Sequence, residues 1–258
     1  MTTVAIFCGQ RHQAIAEFQI NYLSRCTSFS PILICPTNVA NTLRPLVPRS
    51  IPILKDEDVA SYSTMMSLCS MLPEKKRNWY RQQLLKIGFL RAQTQPLLLL
   101  DGDSIFKASI LNLMTKNVMF FTREKTWRYD RFNDRVLPTT TDNYPSFVTN
   151  GMYISEKLLD HLKCINLENV INNIILRPDL DFSEYQYFGT FRTSAEQITE
   201  LRPLKIFRRG DLLGRDIALI AEQFLKSNYD AIAFEPSHRI SRLRKIAARV
   251  AYAVGWTW

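Results

Sequence analysis

Two carboxylates one residue apart offer the clearest chemistry in this chain. They are Asp101-Gly102-Asp103, directly after Leu97-Leu98-Leu99-Leu100. Four consecutive leucines belong in an interior, so the acids emerge at the end of a buried strand. Residues i and i+2 of an extended chain point to the same side. Gly102 adds no bulk between them and lets the backbone approach a ligand closely. Carboxylates paired in this way suit a hard divalent cation, which takes oxygen ligands and bridges to a diphosphate. Such a cation neutralises charge on a departing nucleoside diphosphate. The same residues also make an ordinary polar turn. The leucine run favours the site, because ligands of open parallel sheets bind beyond the carboxyl ends of the strands.

Other residues have types and settings that suit a binding or acid–base site. Glu184 stands among Phe182, Tyr185, Tyr187, Phe188 and Phe191. Aromatic rings bind sugar faces, and apolar surroundings raise a carboxylate toward the strength of a useful base. Asp181 is the second candidate for that role. Gln82 and Lys86 are four residues apart and share a helix face, where an amide and an ammonium suit phosphate or sugar hydroxyls. Gly9 ends the first apolar run and is a candidate close-approach glycine.

The elements that must position these groups alternate along the first half. Val4 to Cys8 and Pro31 to Cys35 read as buried strands, ended by Gly9 and Pro36, and residues 51–54 as a weaker one. Helical patterns cover about 12–25 and 77–92. Strands follow at 97–100 and 118–121. The second half is more mixed: a strand over 147–154, helices over 156–163 and 168–176, and a short strand over 204–207. Short, continuously apolar strands separated by helices predict an α/β fold, a mainly parallel sheet with helices on both faces.

The blocks around the acids carry a resemblance. Trp79-Tyr80-Arg81-Gln82-Gln83-Leu84-Leu85-Lys86 is similar to the WY-x-QQ-LLK helix of a family of bacterial GT-A-like (Rossmann-like) glycosyltransferases, usually described only as a domain of unknown function. Asp101 to Phe106 resembles that family's strand end, with its Asp-x-Asp motif and following apolar pair. Ser183-Glu184-Tyr185-Gln186-Tyr187-Phe188 resembles its S-E-Y-x-x-Y element. Tyr229-Asp230-Ala231 and His238 resemble its closing strand. The blocks span about residues 77–238. The chain departs from the pattern at Phe147 to Gly151, which lacks the family's histidines and puts any role for them, and the acceptor, in doubt. The resemblance implies a metal-dependent transferase moving a sugar from a nucleotide sugar to a glycan or lipid-linked acceptor, in surface polysaccharide synthesis. It implies that Asp101 contacts the donor ribose or a metal-bound water, that Asp103 ligates Mn²⁺ or Mg²⁺, and that His238 is a third ligand. It places Gly9 beside the nucleotide base and Gln82 and Lys86 on the donor, and gives an inverting enzyme Glu184 as base.

Composition narrows the alternatives. The chain has 258 residues, 46% of them hydrophobic, and a net charge of +9. It can bury a substantial core, and its basic surplus favours anionic partners. Five scattered cysteines without a CxxC pair argue against a zinc site or disulfide framework and for a reducing, cytoplasmic setting. A nucleotidyltransferase would share the sheet and the paired acids, but it usually carries a Gly-rich loop near the first strand, where Cys8-Gly9-Gln10-Arg11 has one glycine. The basic residues do not interleave with aromatics on a recognisable nucleic-acid module, so nucleic acid is not an expected partner.

The sequence divides into a transferase domain over 1–237 and a basic tail over 238–258. In the tail Arg239, Arg242, Arg244, Lys245 and Arg249 flank an apolar stripe including Ile240, Leu243, Ile246 and Val250, and Trp256 and Trp258 follow. This reads as an amphipathic helix lying on an anionic membrane surface, placing the enzyme on the inner face of the plasma membrane. Packing of the same helix on the domain or a second subunit is the alternative.

Overall fold

The computed structural model describes residues 1–123, 127–136, 145–208 and 217–234. His238 and the predicted C-terminal helix lie outside these residues. The chain opens with β1 (Thr2–Phe7), α1 (Gln13–Ser24), β2 (Phe29–Cys35), α2 (Thr37–Leu43) and β3 (Ile53–Lys55). Two packed helices follow, α3 (Tyr62–Ser70) and α4 (Glu74–Arg91), and then β4 (Leu97–Asp101), β5 (Ser104–Phe106), α5 (Ala108–Leu113) and β6 (Val118–Phe121). The second half contains α6 (Trp127–Val136), β7 (Gly151–Ile154), α7 (Glu156–Cys164), α8 (Leu167–Leu176) and α9 (Glu184–Ala195). It ends in β8 (Glu200–Pro203), β9 (Ile206–Arg208), α10 (Ile217–Lys226) and β10 (Ala231–Ala233).

The main sheet has the order β3-β2-β1-β4-β7. β3, β2, β1 and β4 are parallel, and β7 closes the edge antiparallel to β4. The expected mainly parallel α/β sheet is therefore present. The inner segments of its central strands are continuously apolar because both faces are covered. Ala5, Phe7, Leu97 and Leu99 face one core with residues of α3, α4, α7, α8 and α9. Val4, Ile6, Leu98 and Leu100 face the other, with residues of α1, α2 and α5. The four leucines thus divide two and two by the period of the strand.

Several boundaries differ from expectation. The helix predicted from residue 77 begins at Glu74. The strand predicted over 147–154 begins only at Gly151, because Asn150 takes a left-handed φ of 57°. The strand predicted over 204–207 corresponds to β9, which begins at Ile206; β8, ending just before the predicted range, is a further strand that pairs with a different partner. The five cysteines form no disulfide.

Candidate active site

Strand order reverses at β1: the chain winds outward through β2 and β3, then returns to place β4 on the other side of β1. The carboxyl ends of β1 and β4 therefore flank a topological switch point, the usual ligand crevice of such sheets. Phe7 is in register with Asp101, so Gly9 and the Asp101-Gly102-Asp103 turn leave the sheet side by side. The Gly102 amide donates to the Phe7 carbonyl at 2.7 Å. A Cβ on Gly102 would lie 2.6 Å from that oxygen and 2.8 Å from Cys8 Cα. Gly102 is thus the close-approach glycine of the crevice, and what it approaches is the end of β1.

The two acids are held differently. Asp101 Oδ1 accepts from the Lys86 ammonium and from the Tyr185 hydroxyl, the latter at 3.1 Å. Asp103 Oδ1 accepts from Ser104 Oγ at 2.9 Å and from Asn150 Nδ2 at 3.4 Å. Its carbonyl accepts from the Phe234 amide just beyond β10, so Asp103 marks the corner between the main sheet and the small sheet of β5, β10 and β9. Asn150 is buried, and its carbonyl accepts from the Asp101 amide at 2.9 Å. One residue in a left-handed turn therefore contacts both halves of the acidic motif.

Lys86 was expected to face a phosphate. It is instead buried, with only 4% of its surface exposed, and its ammonium joins Asp101 to Glu184. The ammonium also lies 4.6 Å from the centre of the Tyr185 ring. Burial alone would lower its proton affinity; the charges of Asp101 and Glu184 more than offset this and raise it. Glu184 is as deeply buried. Burial pushes its carboxyl pKa up, the Lys86 charge opposes the rise, and the nearby Asp101 charge adds to it. Burial and the same two carboxylates raise the Tyr185 hydroxyl well above its ordinary value, so it serves Asp101 as a neutral donor.

The start of α9 explains how Glu184 and Tyr185 reach this place. Ser183 caps the helix, accepting from the Gln186 amide, as a Ser followed three residues later by Gln commonly does. Glu184 then occupies the first turn, where a carboxylate interacts favourably with the helix dipole. Gln83 Oε1 accepts the Glu184 amide at 3.0 Å, which ties α9 to α4.

Gln82 is exposed and its Nε2 lies 3.0 Å from where a Gly9 Cβ would be. The two are neighbours at the crevice, as one α4 face beside β1 requires. Asp181 is drawn elsewhere. Its carboxylate meets Lys76, the Tyr80 hydroxyl and Arg128. Lys76 is ten residues from Lys86 on α4, about 15 Å along a helix, so Asp181 is not a second carboxylate beside Glu184. Tyr185 and Asn150 are site residues that the sequence reading passed over. Tyr185 adjoins Glu184 in a quoted block, and Asn-Gly after a threonine is a turn signal.

No family model and no curated protein matches this sequence. The fold is similar to that of a galactosyltransferase, LgtC. The structure of LgtC in complex with donor and acceptor sugar analogues aligns with a TM-score of 0.51 at 10% identity, over 96% of this chain and 95% of that one. An active-site mutant of LgtC aligns with a TM-score of 0.50 at 10% identity, over 97% and 95% of the two chains. The likeness covers nearly the whole length of both proteins and defines a GT-A-like fold, with the paired acids at its switch point.

Proposed function

We propose that this chain is a glycosyltransferase that moves a sugar from a nucleoside-diphosphate sugar to a glycan or lipid-linked acceptor, in surface polysaccharide synthesis. The observation that carries the reading is the position of Asp101-Gly102-Asp103 at the switch point of a GT-A-like fold. LgtC, the similar structure, is a galactosyltransferase that binds donor and acceptor sugar analogues.

The donor set fits a hard divalent cation, Mn²⁺ or Mg²⁺, because both acids offer carboxylate oxygens beside a crevice and neither is fully buried. Among the described residues no group of three or more His, Cys, Asp or Glu is placed to hold a metal ion. Asp103 would therefore be the direct protein ligand, with His238, outside the described residues, as a further one. Donor phosphates and water would complete the shell. The cation would neutralise charge on the departing nucleoside diphosphate.

The chain's own residues then divide the work. Lys86 and Tyr185 engage Asp101 Oδ1 and leave Oδ2 for the donor ribose or a metal-bound water. Gly9 and Gln82 line the nucleotide side. Glu184 takes the proton of the acceptor hydroxyl; its burial favours holding that proton, and the Lys86 charge favours the ionised form that accepts it. The supporting test is calorimetry of nucleoside diphosphates with and without Mn²⁺, followed by hydrolysis of the nucleotide sugar whose nucleotide binds. Release of pyrophosphate from a nucleoside triphosphate would replace this reading with that of a nucleotidyltransferase.

The setting is proposed as cytoplasmic, with the basic tail over 238–258 on an anionic membrane surface. No helix among the described residues is long and apolar enough to cross a membrane.

A further inference from the structure

The turn that leads into β7 is held more firmly than a connection between strands requires. Ser146 bridges to Thr122, the Phe147 amide donates to Gln186 on α9 at 2.7 Å, and the Val148 carbonyl accepts from Arg208 on β9 at 3.2 Å. Thr149 is buried, and its hydroxyl donates to the Gly151 carbonyl at 2.8 Å. Gly151 is clamped as well, since an added Cβ would lie 2.7 Å from the Leu100 side chain and 2.8 Å from the Phe106 ring. Asn150 therefore sits between two fixed neighbours, with a φ of 57°. Glycine accepts that backbone with the least strain, and asparagine comes next. An asparagine that serves only its own backbone has no need of a buried amide. This one is 4% exposed, and its Nδ2 donates to Asp103 Oδ1 at 3.4 Å.

The two ends of Asn150 act on different acids. Its carbonyl accepts the Asp101 amide at 2.9 Å, and its side chain meets the Asp103 carboxylate. Ser104 Oγ meets the same oxygen of Asp103 at 2.9 Å. The rotation of that carboxylate is thereby set from two elements, β5 and the turn before β7. Neither donor is charged, so neither competes with a cation for the charge of the carboxylate. A ligand oriented before the cation arrives has less freedom to lose on binding. Removing the partner that orients a metal ligand commonly costs about 10- to 100-fold in metal affinity. We propose that Asn150 is a positioning residue for the divalent cation, holding Asp101 through its backbone and Asp103 through its side chain so that the pair meets the cation in a fixed orientation. This rests on the reading of Asp101-Gly102-Asp103 as the donor site. Asn150 acts through the two acids and is not itself a ligand.

Asn150→Gly separates this role from that of the turn. Glycine accepts the left-handed backbone, keeps the carbonyl that accepts from Asp101, and deletes only the amide that reaches Asp103. Mn²⁺ is titrated by calorimetry into the full-length native and variant chains in the presence of uridine, guanosine, adenosine or cytidine diphosphate in turn. Each nucleotide is also titrated without metal, and folding is followed by urea unfolding. With the nucleotide that binds, Asn150→Gly should weaken Mn²⁺ affinity about 10- to 100-fold. Its metal-free nucleotide affinity and its unfolding midpoint should stay close to those of the native chain. Native Mn²⁺ affinity in the variant overturns the proposal. So does an equal loss of Mn²⁺ and metal-free nucleotide affinity, which would make Asn150 a wall of the crevice. A native chain that binds all of these nucleotides without regard to Mn²⁺ is a different result: it would sink the donor-site reading, and this proposal with it.

Discussion

The Gly102 amide donates to the Phe7 carbonyl at 2.7 Å, and this contact fixes the turn between the two acids onto the end of the first strand. Any side chain at residue 102 meets backbone that cannot step aside. Gly102→Ala should therefore cost about 1–3 kcal/mol of stability, the usual range for overpacking a tight site. Gly9→Ala is the control. Gly9 has an ordinary φ of −87°, and its added Cβ would meet only the flexible end of Gln82, so stability should stay within about 1 kcal/mol of the native chain. Urea unfolding of the two variants checks the contrast; equal effects would show that the turn is not clamped.

Lys86 is the only cation bonded to both Asp101 and Glu184 among the described residues. Its removal leaves two neighbouring carboxylates without their shared charge. Lys86→Met should lower stability by about 3–5 kcal/mol, the cost of breaking a buried pair from one side. Adding Glu184→Gln should recover part of that loss, because one uncompensated charge disappears. Denaturant melts of the single and double variants measure it. A Lys86→Met chain as stable as the parent would mean that the cluster is not a structural unit.

The burial of the leucines, the parallel sheet and the acidic strand end were legible in the sequence because burial on both faces leaves an unbroken apolar run. Other features were hidden. Lys86 lies in Leu84-Leu85-Lys86-Ile87-Gly88-Phe89, where apolar residues on every side signal a buried cation, yet a polar face was the simpler reading. Nothing local fixed the direction of β7, since its antiparallel partner β4 is distant in sequence. The α6 helix carries charged or polar residues at most positions, and only Phe132 and Asn133 are fully buried, so its apolar stripe is too short to stand out in the sequence. Asp181 and Glu184 are three residues apart, but Ser183 begins a helix between them and the two carboxylates part.

Asp56 provides a pH signature away from the acids of the crevice. Burial raises its pKa from 3.8 to about 6, although the paired Arg81 opposes the rise. A raised folded-state pKa means that the folded chain binds the proton more tightly than the unfolded one. The resulting stability is complete below about pH 4 and is lost as pH rises to about 6. Thermal melts of the native chain and Asp56→Asn should diverge across that window, the native chain losing ground to the variant as pH increases. Parallel curves would show that Asp56 is ionised throughout.

Glu184→Gln keeps the side chain's shape and removes its proton-accepting charge. Turnover should fall by about two to four orders of magnitude, the usual worth of general base catalysis, while nucleoside diphosphate affinity changes little. Loss of affinity with turnover per bound donor unchanged would make Glu184 a positioning residue acting through Lys86 and Asp101.

Asp103 carries the central claim. It lies in the partly buried turn between β4 and β5, outside the apolar core, so Asp103→Ala should leave the fold intact. The decisive measurement is calorimetric titration of the native and Asp103→Ala chains with the preferred nucleoside diphosphate, each with and without Mn²⁺. The native chain should bind more tightly with the cation, and the variant should lose that difference while keeping its circular dichroism spectrum. A folded Asp103→Ala chain that retains the full Mn²⁺-dependent gain would contradict the assignment of the Asp101-Gly102-Asp103 turn as the donor site.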